Sequence, residues 1–438
     1  MSEPIVPGTP TLSPQRVTAV TVTILFVAWI VDYIDRLVIA TALPSIGREF
    51  GLNHSQQGLL LTAFFITYAL FQFPGGLLAD KIGAKKTMVI ALVSWSVFTG
   101  LTGLAISFGM LLIVRVLFGV TEGIFPGAAM KAVAERTVPK NRMTANGIIL
   151  GSNPFGAALA PLIAAPAITA VGWQNSFFAV AAAGVVVAVV LWFGLPRPLP
   201  AEIAVDSTVD STVDSAVTAA VAAPQLGLLR LLRKGVLWRF TLLFGGYDLV
   251  AWGLTSWVPG YLQTVRHVST NASGALASIP FFCGTIGTVL GGLLYDRAFH
   301  GRHRLLIVPS FVVGGGFLLL MAWAPSTGMF IVYQSASLLV LYLSFMPIFG
   351  LPLRLLPREV VGSASGLINM GGQIAGAIAP FAMGFLADRF SFTAAFLFLE
   401  FGLVVAVIAT FWAPQRPEDL AKHFPELALA PARATPVQ

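Results

Sequence analysis

Seven ionisable residues lie inside long apolar stretches of this 438-residue chain. They are five acids and two arginines, namely Asp32, Asp35, Glu122, Asp248, Glu400, Arg36 and Arg115. An ionisable side chain at membrane depth costs several kcal/mol unless it lines a cavity or has a partner. Arginine stays protonated and can bind a carboxylate through two parallel hydrogen bonds. A carboxyl group can take up or release a proton as its access to water changes. These residue types therefore predict a site for an anion and for protons.

The charged residues form two helix faces. Asp32, Asp35 and Arg36 are spaced i, i+3 and i+4, and Arg115 and Glu122 are spaced i and i+7, so each group shares one face of a helix. Two helices that each present an arginine and an acid predict a polar cavity between them. The alternative is that Asp35 with Arg36, and Arg115 with Glu122, are structural pairs that only neutralise each other.

The other three acids leave alternatives open. Asp32 could cap a helix or lie in a wet vestibule. Asp248 lies near the start of its apolar stretch and could belong to a vestibule as well. Glu400 lies in the middle of the last stretch. We interpret it as a packing feature or an oligomer contact, and it is not predicted to act in transport.

The composition indicates which elements carry these residues. The chain is 56% hydrophobic and 10% charged, whereas soluble domains carry about 25% charged residues. Lipid must therefore be the solvent for most of the chain, and spans are helical because lipid offers backbone polar groups no partner. The prediction is an all-α membrane protein with twelve transmembrane helices of roughly 20 residues or more. Their predicted bounds are 17–44, 58–79, 86–105, 110–133, 144–168, 175–195, 237–262, 274–295, 304–323, 328–352, 363–386 and 392–414.

The basic residues predict the orientation. Most of the 26 Lys and Arg residues lie in segments that are cytoplasmic if both chain termini are cytoplasmic, as the positive-inside rule requires. The net charge of +7 therefore reflects topology, and we expect no nucleic-acid partner. The single cysteine, Cys283, excludes a disulfide within the chain. We expect a multi-pass protein of the cell (inner) membrane and a monomer.

One sequence pattern occurs in both halves of the chain. Gly-Leu-Leu-Ala-Asp-Lys at 76–81 matches Gly-Leu-Leu-Tyr-Asp-Arg at 292–297, and each follows a long apolar run. Such a duplication predicts two pseudo-symmetric six-helix halves, which is typical of transporters. The predicted domains are a cytoplasmic N-terminal tail at 1–16, halves at 17–195 and 237–414, a cytoplasmic linker at 196–236 and a C-terminal tail at 415–438.

The repeated pattern also predicts a gate. A carboxylate at a helix end can pair with basic residues and with the N-terminus of another helix in one conformation and lose them in another. The predicted gating residues are Asp80, Lys85, Lys86, Asp296 and Arg297. Candidate partners from neighbouring loops are Arg136, Arg142, Arg354 and Arg358. The alternative is that the basic residues only follow the positive-inside rule.

The segment from 76 to 86 resembles the signature between helices two and three of the major facilitator superfamily, and this resemblance extends over about 17–414. Four further features resemble the anion:cation symporter family within it. They are Asp-Tyr-Ile-Asp-Arg at 32–36, Tyr68, the segment at 115–126, and Asn-Met-Gly-Gly at 369–372. This family includes sugar-acid/proton symporters and the sialic-acid and vesicular glutamate transporters.

The resemblance implies roles for single residues. By resemblance, Asp35 and Glu122 carry protons, while Arg36, Tyr68, Arg115 and Asn369 bind the anion. Three features depart from the family: Asp32 replaces the usual Asn, Asp248 stands where many relatives are neutral, and the eighth span carries no Arg or His.

The sequence thus predicts a secondary transporter that couples proton movement to uptake of a small organic anion, such as a sugar acid or other carboxylate. The alternatives are a proton-coupled exporter of a drug or metabolite, or a non-transporting membrane sensor with a transporter fold. Neither an enzyme nor a cofactor is predicted, because the chain carries no P-loop, metal-ligand cluster or nucleophile motif.

Overall fold

The structure is a computed structural model that describes residues 13–138, 141–200, 234–299, 302–348 and 361–414. Most of the predicted N-terminal tail, most of the linker and the C-terminal tail lie outside the described residues, as do Arg354 and Arg358. The predicted domain division therefore stays a prediction.

The described residues are helical and contain no strand. In chain order the helices are α1 Pro14–Phe50, α2 His54–Ile82, α3 Ala84–Gly103, α4 Phe108–Gly123, α5 Phe125–Arg136, α6 Arg142–Gly194, α7 Gly235–Thr264, α8 Thr270–Arg297, α9 His303–Ala322, α10 Thr327–Tyr342, α11 Val361–Arg389 and α12 Phe392–Trp412. Each predicted span overlaps one of these helices, with α4 and α5 forming one span. The predicted all-α fold of twelve membrane helices is confirmed.

Helix α6 contains two of the predicted spans. Its two arms meet at Gly172, where the backbone adopts φ 81°, a left-handed conformation that suits glycine. Ten helices of the described part, counting α4 with α5 as one, are long and apolar enough to cross a membrane. α7 is the remaining predicted span, and it packs between α1, α11 and α12.

Most of the helices that start at one end of the bundle have a side-chain N-cap. A side-chain oxygen of the preceding Asn or Ser accepts a hydrogen bond from a backbone N–H in the first turn. These capping residues are Asn53, Ser107, Ser269, Ser326 and Ser391. The end of the bundle with these caps is called the capped end below, and the end with residues 13 and 414 is called the terminal end.

The helices pack as two groups, α1–α6 and α7–α12, which meet through α2 with α11, α6 with α8, and α1 with α7. Hydrogen bonds between the groups concentrate near the capped end. His54 and Ser55 contact Asp388 there, and the Gln263 amide donates to the Thr41 carbonyl. The two halves are therefore closed against each other at the capped end.

Candidate functional site

A cavity of about 230 Å³ lies between the two halves. Ligand pockets usually measure about 300–1,000 Å³, so this one suits a small metabolite. Helices α1, α2, α5 and α6 line it from one side, and α7, α10 and α11 from the other. The site residues Arg36, Tyr68 and Asn369 all line it. Asn369 also donates to Gln72 Oε1 over 3.3 Å, which joins α11 to α2 beside the cavity.

Arg36 lies at the centre of a buried ion-pair network that joins α1 to α4. Its Nε donates to Glu122 Oε1 over 2.7 Å, and its Nη2 donates to Asp32 Oδ2 over 3.0 Å and also to Glu122 Oε1. The three side chains are at most 5% exposed. Arg36 thus pairs with the acid one helical turn before it and with the acid on the other predicted face. The alternative pairs therefore do not form. Arg36 pairs with Glu122 and Asp32 instead of Asp35, and Arg115 does not pair with Glu122 but contacts Thr102.

Aromatic rings surround the same guanidinium group. Its Cζ lies 4.6 Å from the ring centroid of Tyr68, 4.9 Å from that of Tyr33 and 5.9 Å from that of Trp252. Such contacts stabilise a cation by about 0.5–2 kcal/mol each. No carboxylate of the described residues accepts a hydrogen bond from the remaining nitrogen, Nη1. Arg36 therefore lines the cavity with one nitrogen that no carboxylate occupies.

Glu122 has one oxygen in use and one without a partner. Oε1 accepts from Arg36, whereas Oε2 is buried with no hydrogen-bond partner among the described residues. An unpaired oxygen of a buried carboxylate is unfavourable. Protonation of Oε2 would relieve this cost because it neutralises the group. The geometry therefore makes Glu122 chemically suited to hold a proton.

Asp35 and Arg115 lie outside the cavity. Both oxygens of Asp35 accept from Thr99 Oγ1 over 2.7 and 2.9 Å. Arg115 Nη2 donates weakly to Thr102 Oγ1 over 3.5 Å, and its Nε is buried without a partner. Both side chains are 1% exposed. The structure thus separates these two residues from Arg36, Tyr68 and Asn369, and their predicted roles in proton coupling and anion binding stay predictions.

Comparison with known proteins identifies the fold family. The sequence profile of the Major Facilitator Superfamily matches residues 25–380 and 300–437. The chain belongs to this superfamily. It resembles the hexuronate transporter of Bacillus subtilis (strain 168), with 29% identity over 87% of this chain and 90% of the relative. It also resembles the probable galactarate/D-glucarate transporter GarP of Escherichia coli (strain K12), with 28% identity over 88% and 92%.

Solved structures agree on the fold. A bacterial homologue of the human lysosomal transporter Spinster, in an inward-facing and occupied conformation, superposes with a TM-score of 0.70. It is 19% identical, and the match covers 92% of this chain and 97% of that one. This major facilitator chain is therefore a multi-pass integral membrane transporter and not an enzyme.

The predicted gating residues of this superfamily member lie at the terminal end. Asp80 Oδ1 pairs with Lys131 Nζ at 2.8 Å, and Lys131 also donates to the Ala79 carbonyl. Both contacts lie within one half, and Lys131 was not among the predicted partners. The candidate partner Arg136 instead donates to Glu135 Oε2 over 2.6 Å.

The other predicted gating residues have separate surroundings. Lys85 Nζ donates to the Leu195 carbonyl over 3.4 Å. Lys86, Asp296 and Arg297 are exposed at the same end. Their gating roles stay predictions.

Sequence reasoning missed one residue that joins the halves. Asp388, at the end of α11, accepts from the backbone N–H groups of His54 and Ser55 over 3.0 and 2.7 Å, and from Ser55 Oγ over 2.6 Å. His54 Nδ1 lies 2.7 Å from Asp388 Oδ1. A carboxylate thus caps the N-terminus of α2 across the interface. The signal was available, because Gly-Phe-Leu-Ala-Asp-Arg at 384–389 is a third copy of the repeated pattern.

Two further acids were left open by the sequence. Asp248 lines the cavity from α7. Glu400 is half-buried on α12 near Gly315 of α9, does not line this cavity, and has one oxygen without a partner among the described residues.

Proposed function

We propose that the protein is a proton-coupled symporter that carries a small organic anion, with a sugar acid as the cargo. The observation that carries this proposal is the position of Arg36. It lines the cavity and its Nη1 has no carboxylate partner among the described residues, while its other nitrogens hold Glu122 and Asp32. The named substrates of the relatives, hexuronate and galactarate/D-glucarate, support a sugar acid.

Coupling follows from competition for one guanidinium group. Because Asp32 already pairs with Arg36, a charged Glu122 makes the network net negative and weakens its attraction for the cargo anion. A proton on Glu122 removes that negative charge, so the cargo carboxylate binds Arg36 more tightly. Proton and anion therefore favour each other's binding, and by linkage this effect is reciprocal. Asp35 is proposed as a second proton carrier, with Thr99 as its hydrogen-bond partner.

We further propose that the protein acts as a monomer in the cell (inner) membrane, with both termini in the cytoplasm. The excess of Lys and Arg at the terminal end supports this orientation. The described conformation, closed at the capped end, would then be open to the cytoplasm.

The test is transport by the purified protein in proteoliposomes. Labelled hexuronate and hexonate should accumulate when an inward proton gradient is imposed, and an ionophore that collapses the gradient should abolish accumulation. If no sugar acid moves, or if the collapsed gradient makes no difference, the proposal is wrong.

The role of Glu122 is tested with Glu122→Gln, which keeps the size of the side chain but cannot release a proton. We expect gradient-driven accumulation to fall at least tenfold (about 1.4 kcal/mol), while exchange of labelled for unlabelled cargo is largely retained. Glu400→Gln is the matched control, since Glu400 lies outside the cavity, and it should transport normally. Equal loss of accumulation and exchange in Glu122→Gln would indicate a structural role for Glu122.

A further inference from the structure

We propose that a groove on the outer side of the second half binds an anionic phospholipid, with one acyl chain in the groove and the phosphate at Arg239. The groove has a volume of about 210 Å³ and lies between α7, α11 and α12. It is separate from the central cavity, because the two have no lining residue in common. The groove therefore takes a ligand other than the cargo.

The lining of the groove is apolar and faces outward. Large exposed side chains form its walls, namely Leu242, Ile374, Ile378 and Phe401. The hydroxyl of Thr241, which also lines the groove, already donates to the Leu237 carbonyl over 3.0 Å. The exposed sides of membrane-spanning helices face lipid, which offers polar groups no partner. An acyl chain is therefore the occupant that fits this lining.

Close helix contacts form the floor of the groove. A Cβ at Gly246 of α7 would overlap the carbonyl oxygen of Gly402 on α12, and a Cβ at Gly371 of α11 would overlap the carbonyl oxygen of Thr241 on α7. The glycines thus let the three helices approach each other and leave a depression between the larger side chains of the walls. An acyl chain in this depression gains dispersion contacts that an empty groove would lack.

Arg239 provides a positive charge at the terminal end of the groove. It is spaced i, i+3 with Leu242, so it lies on the same side of α7 as the groove wall. Its Nη1 donates to the carbonyl of Trp412, the last residue of α12, over 2.9 Å. Among the described residues it forms no ion pair. A guanidinium group has five N–H donors, so Arg239 can hold this carbonyl and a lipid phosphate together.

Two tryptophans indicate the depth of Arg239 in the membrane. Trp238 lines the groove beside Arg239, and Trp412 is exposed at the end of α12. Tryptophan is enriched at the interface between membrane and water. The guanidinium group therefore lies at the level of the lipid headgroups, and the groove extends from there into the hydrocarbon region. Basic pockets between helices bind acidic headgroups on the cytoplasmic side, which is the side of the terminal end in the proposed orientation.

The test compares two phospholipids that differ in the charge of the headgroup. Dioleoyl phosphatidylglycerol or dioleoyl phosphatidylcholine is added to the purified full-length protein in detergent, and thermal stabilisation is measured. The choline cation competes with Arg239 for the phosphate, so we expect the half-maximal concentration to be at least about fivefold lower for phosphatidylglycerol. Glycerophosphoglycerol, the same headgroup without acyl chains, should not stabilise the protein.

Variants of Arg239 test the contact with the headgroup. Arg239→Gln should reduce the preference for phosphatidylglycerol to within about twofold, whereas Arg239→Lys keeps the charge and should keep the preference. Arg48→Gln is the control, because Arg48 is exposed at the capped end. An unchanged preference in Arg239→Gln, even with lower thermal stability, would mean that Arg239 only stabilises the C-terminus of α12, and the inference would be wrong.

Variants of α12 test the groove. The side chain of a helical residue leans over the preceding turn, so the indole of Val405→Trp should cover the floor at Gly402. We expect it to weaken the binding of both lipids at least about fivefold. Val404→Trp is the matched control, because Val404 is 55% exposed and lies outside the groove.

Further results would also overturn the inference. They are equal stabilisation of the wild type by the two lipids, stabilisation by glycerophosphoglycerol alone, and equal lipid binding by Val405→Trp and Val404→Trp. Light scattering gives the oligomeric state of the same samples. If the wild type is an oligomer that Val405→Trp dissociates and Val404→Trp does not, the groove holds a second copy of the chain instead of a lipid.

Discussion

At the scale of single residues, Arg36 connects the two chemistries proposed for this transporter. It holds two buried carboxylates on α1 and α4, lines the cavity, and has one nitrogen, Nη1, without a carboxylate partner among the described residues. Arg115 has the same charge but contacts Thr102 and the rings of Phe118 and Phe177. The two arginines are therefore expected to respond differently to the same substitution.

Replacing each arginine by lysine tests this difference. Arg36→Lys keeps the charge but loses the planar fork that serves Asp32 and Glu122 together. Loss of one charge-assisted hydrogen bond costs about 1.5–3 kcal/mol, so cargo affinity should fall at least about tenfold. Arg115→Lys should stay within about threefold of the wild type. Ligand-induced thermal stabilisation measures both, and an equal loss in the two variants would indicate that Arg115 binds the cargo, as the family resemblance implies.

At the scale of elements, the ends of α2 and α11 show how the same sequence pattern can act at opposite faces. The two helices are antiparallel neighbours. Asp388 at the end of α11 caps the start of α2, whereas Asp80 at the end of α2 contacts Lys131 within its own half. A carboxylate at a helix N-terminus thus bridges the two halves at the capped end.

Asp388→Asn tests whether this contact holds the capped end closed. The variant loses the favourable interaction between the negative charge and the N-terminus of α2, which contributes about 0.3–1 kcal/mol. The hydrogen bonds at this position also become weaker, because hydrogen bonds to charged groups are stronger than those to neutral groups. In a Cys283→Ser, Thr62→Cys background, labelling of intact cells by a membrane-impermeant maleimide should rise about fivefold. Glu49→Gln is the control, because Glu49 lies at the same end but bonds Trp173 and Gln174 within its own half. Equal labelling in all three proteins would contradict this role for Asp388.

At the scale of the whole molecule, the two halves approach through small residues near the capped end. A Cβ at Gly58 of α2 would overlap the carbonyl oxygen of Pro380 on α11, and a Cβ at Gly274 of α8 would overlap Pro161 and Ala165 of α6. Both contacts join the halves, so we expect them to separate when this end opens.

Gly58→Val should therefore disfavour the closed conformation without damaging either half. Overpacking of this kind costs about 1–3 kcal/mol, so accumulation of cargo should fall at least about fivefold while the yield of monodisperse protein is unchanged. A Cβ at Gly109 meets no atom within 4 Å, which makes Gly109→Val the matched control. Normal accumulation in Gly58→Val would show that the contact is dispensable.

The sequence by itself determined the membrane fold and which residues are candidates for the site. Apolar stretches of spanning length, the duplicated pattern and the positions of the basic residues are local properties of the chain, and lipid permits few folds for them. The family resemblance of the sequence predicts Arg36, Tyr68 and Asn369 as anion-binding residues, and all three line the cavity.

Only the tertiary structure decided which charges meet. Arg36 and Glu122 are 86 residues apart, and helix periodicity says which residues share a face but not which faces oppose each other. For the same reason, the sequence predicted neither the contact of Asp388 with α2 nor the position of Asp248 in the cavity wall. Partner choice depends on the rotation and packing of whole helices, so the pairing of Arg36 with Glu122 forms only when the first half folds, and the two-sided cavity only when the two halves assemble.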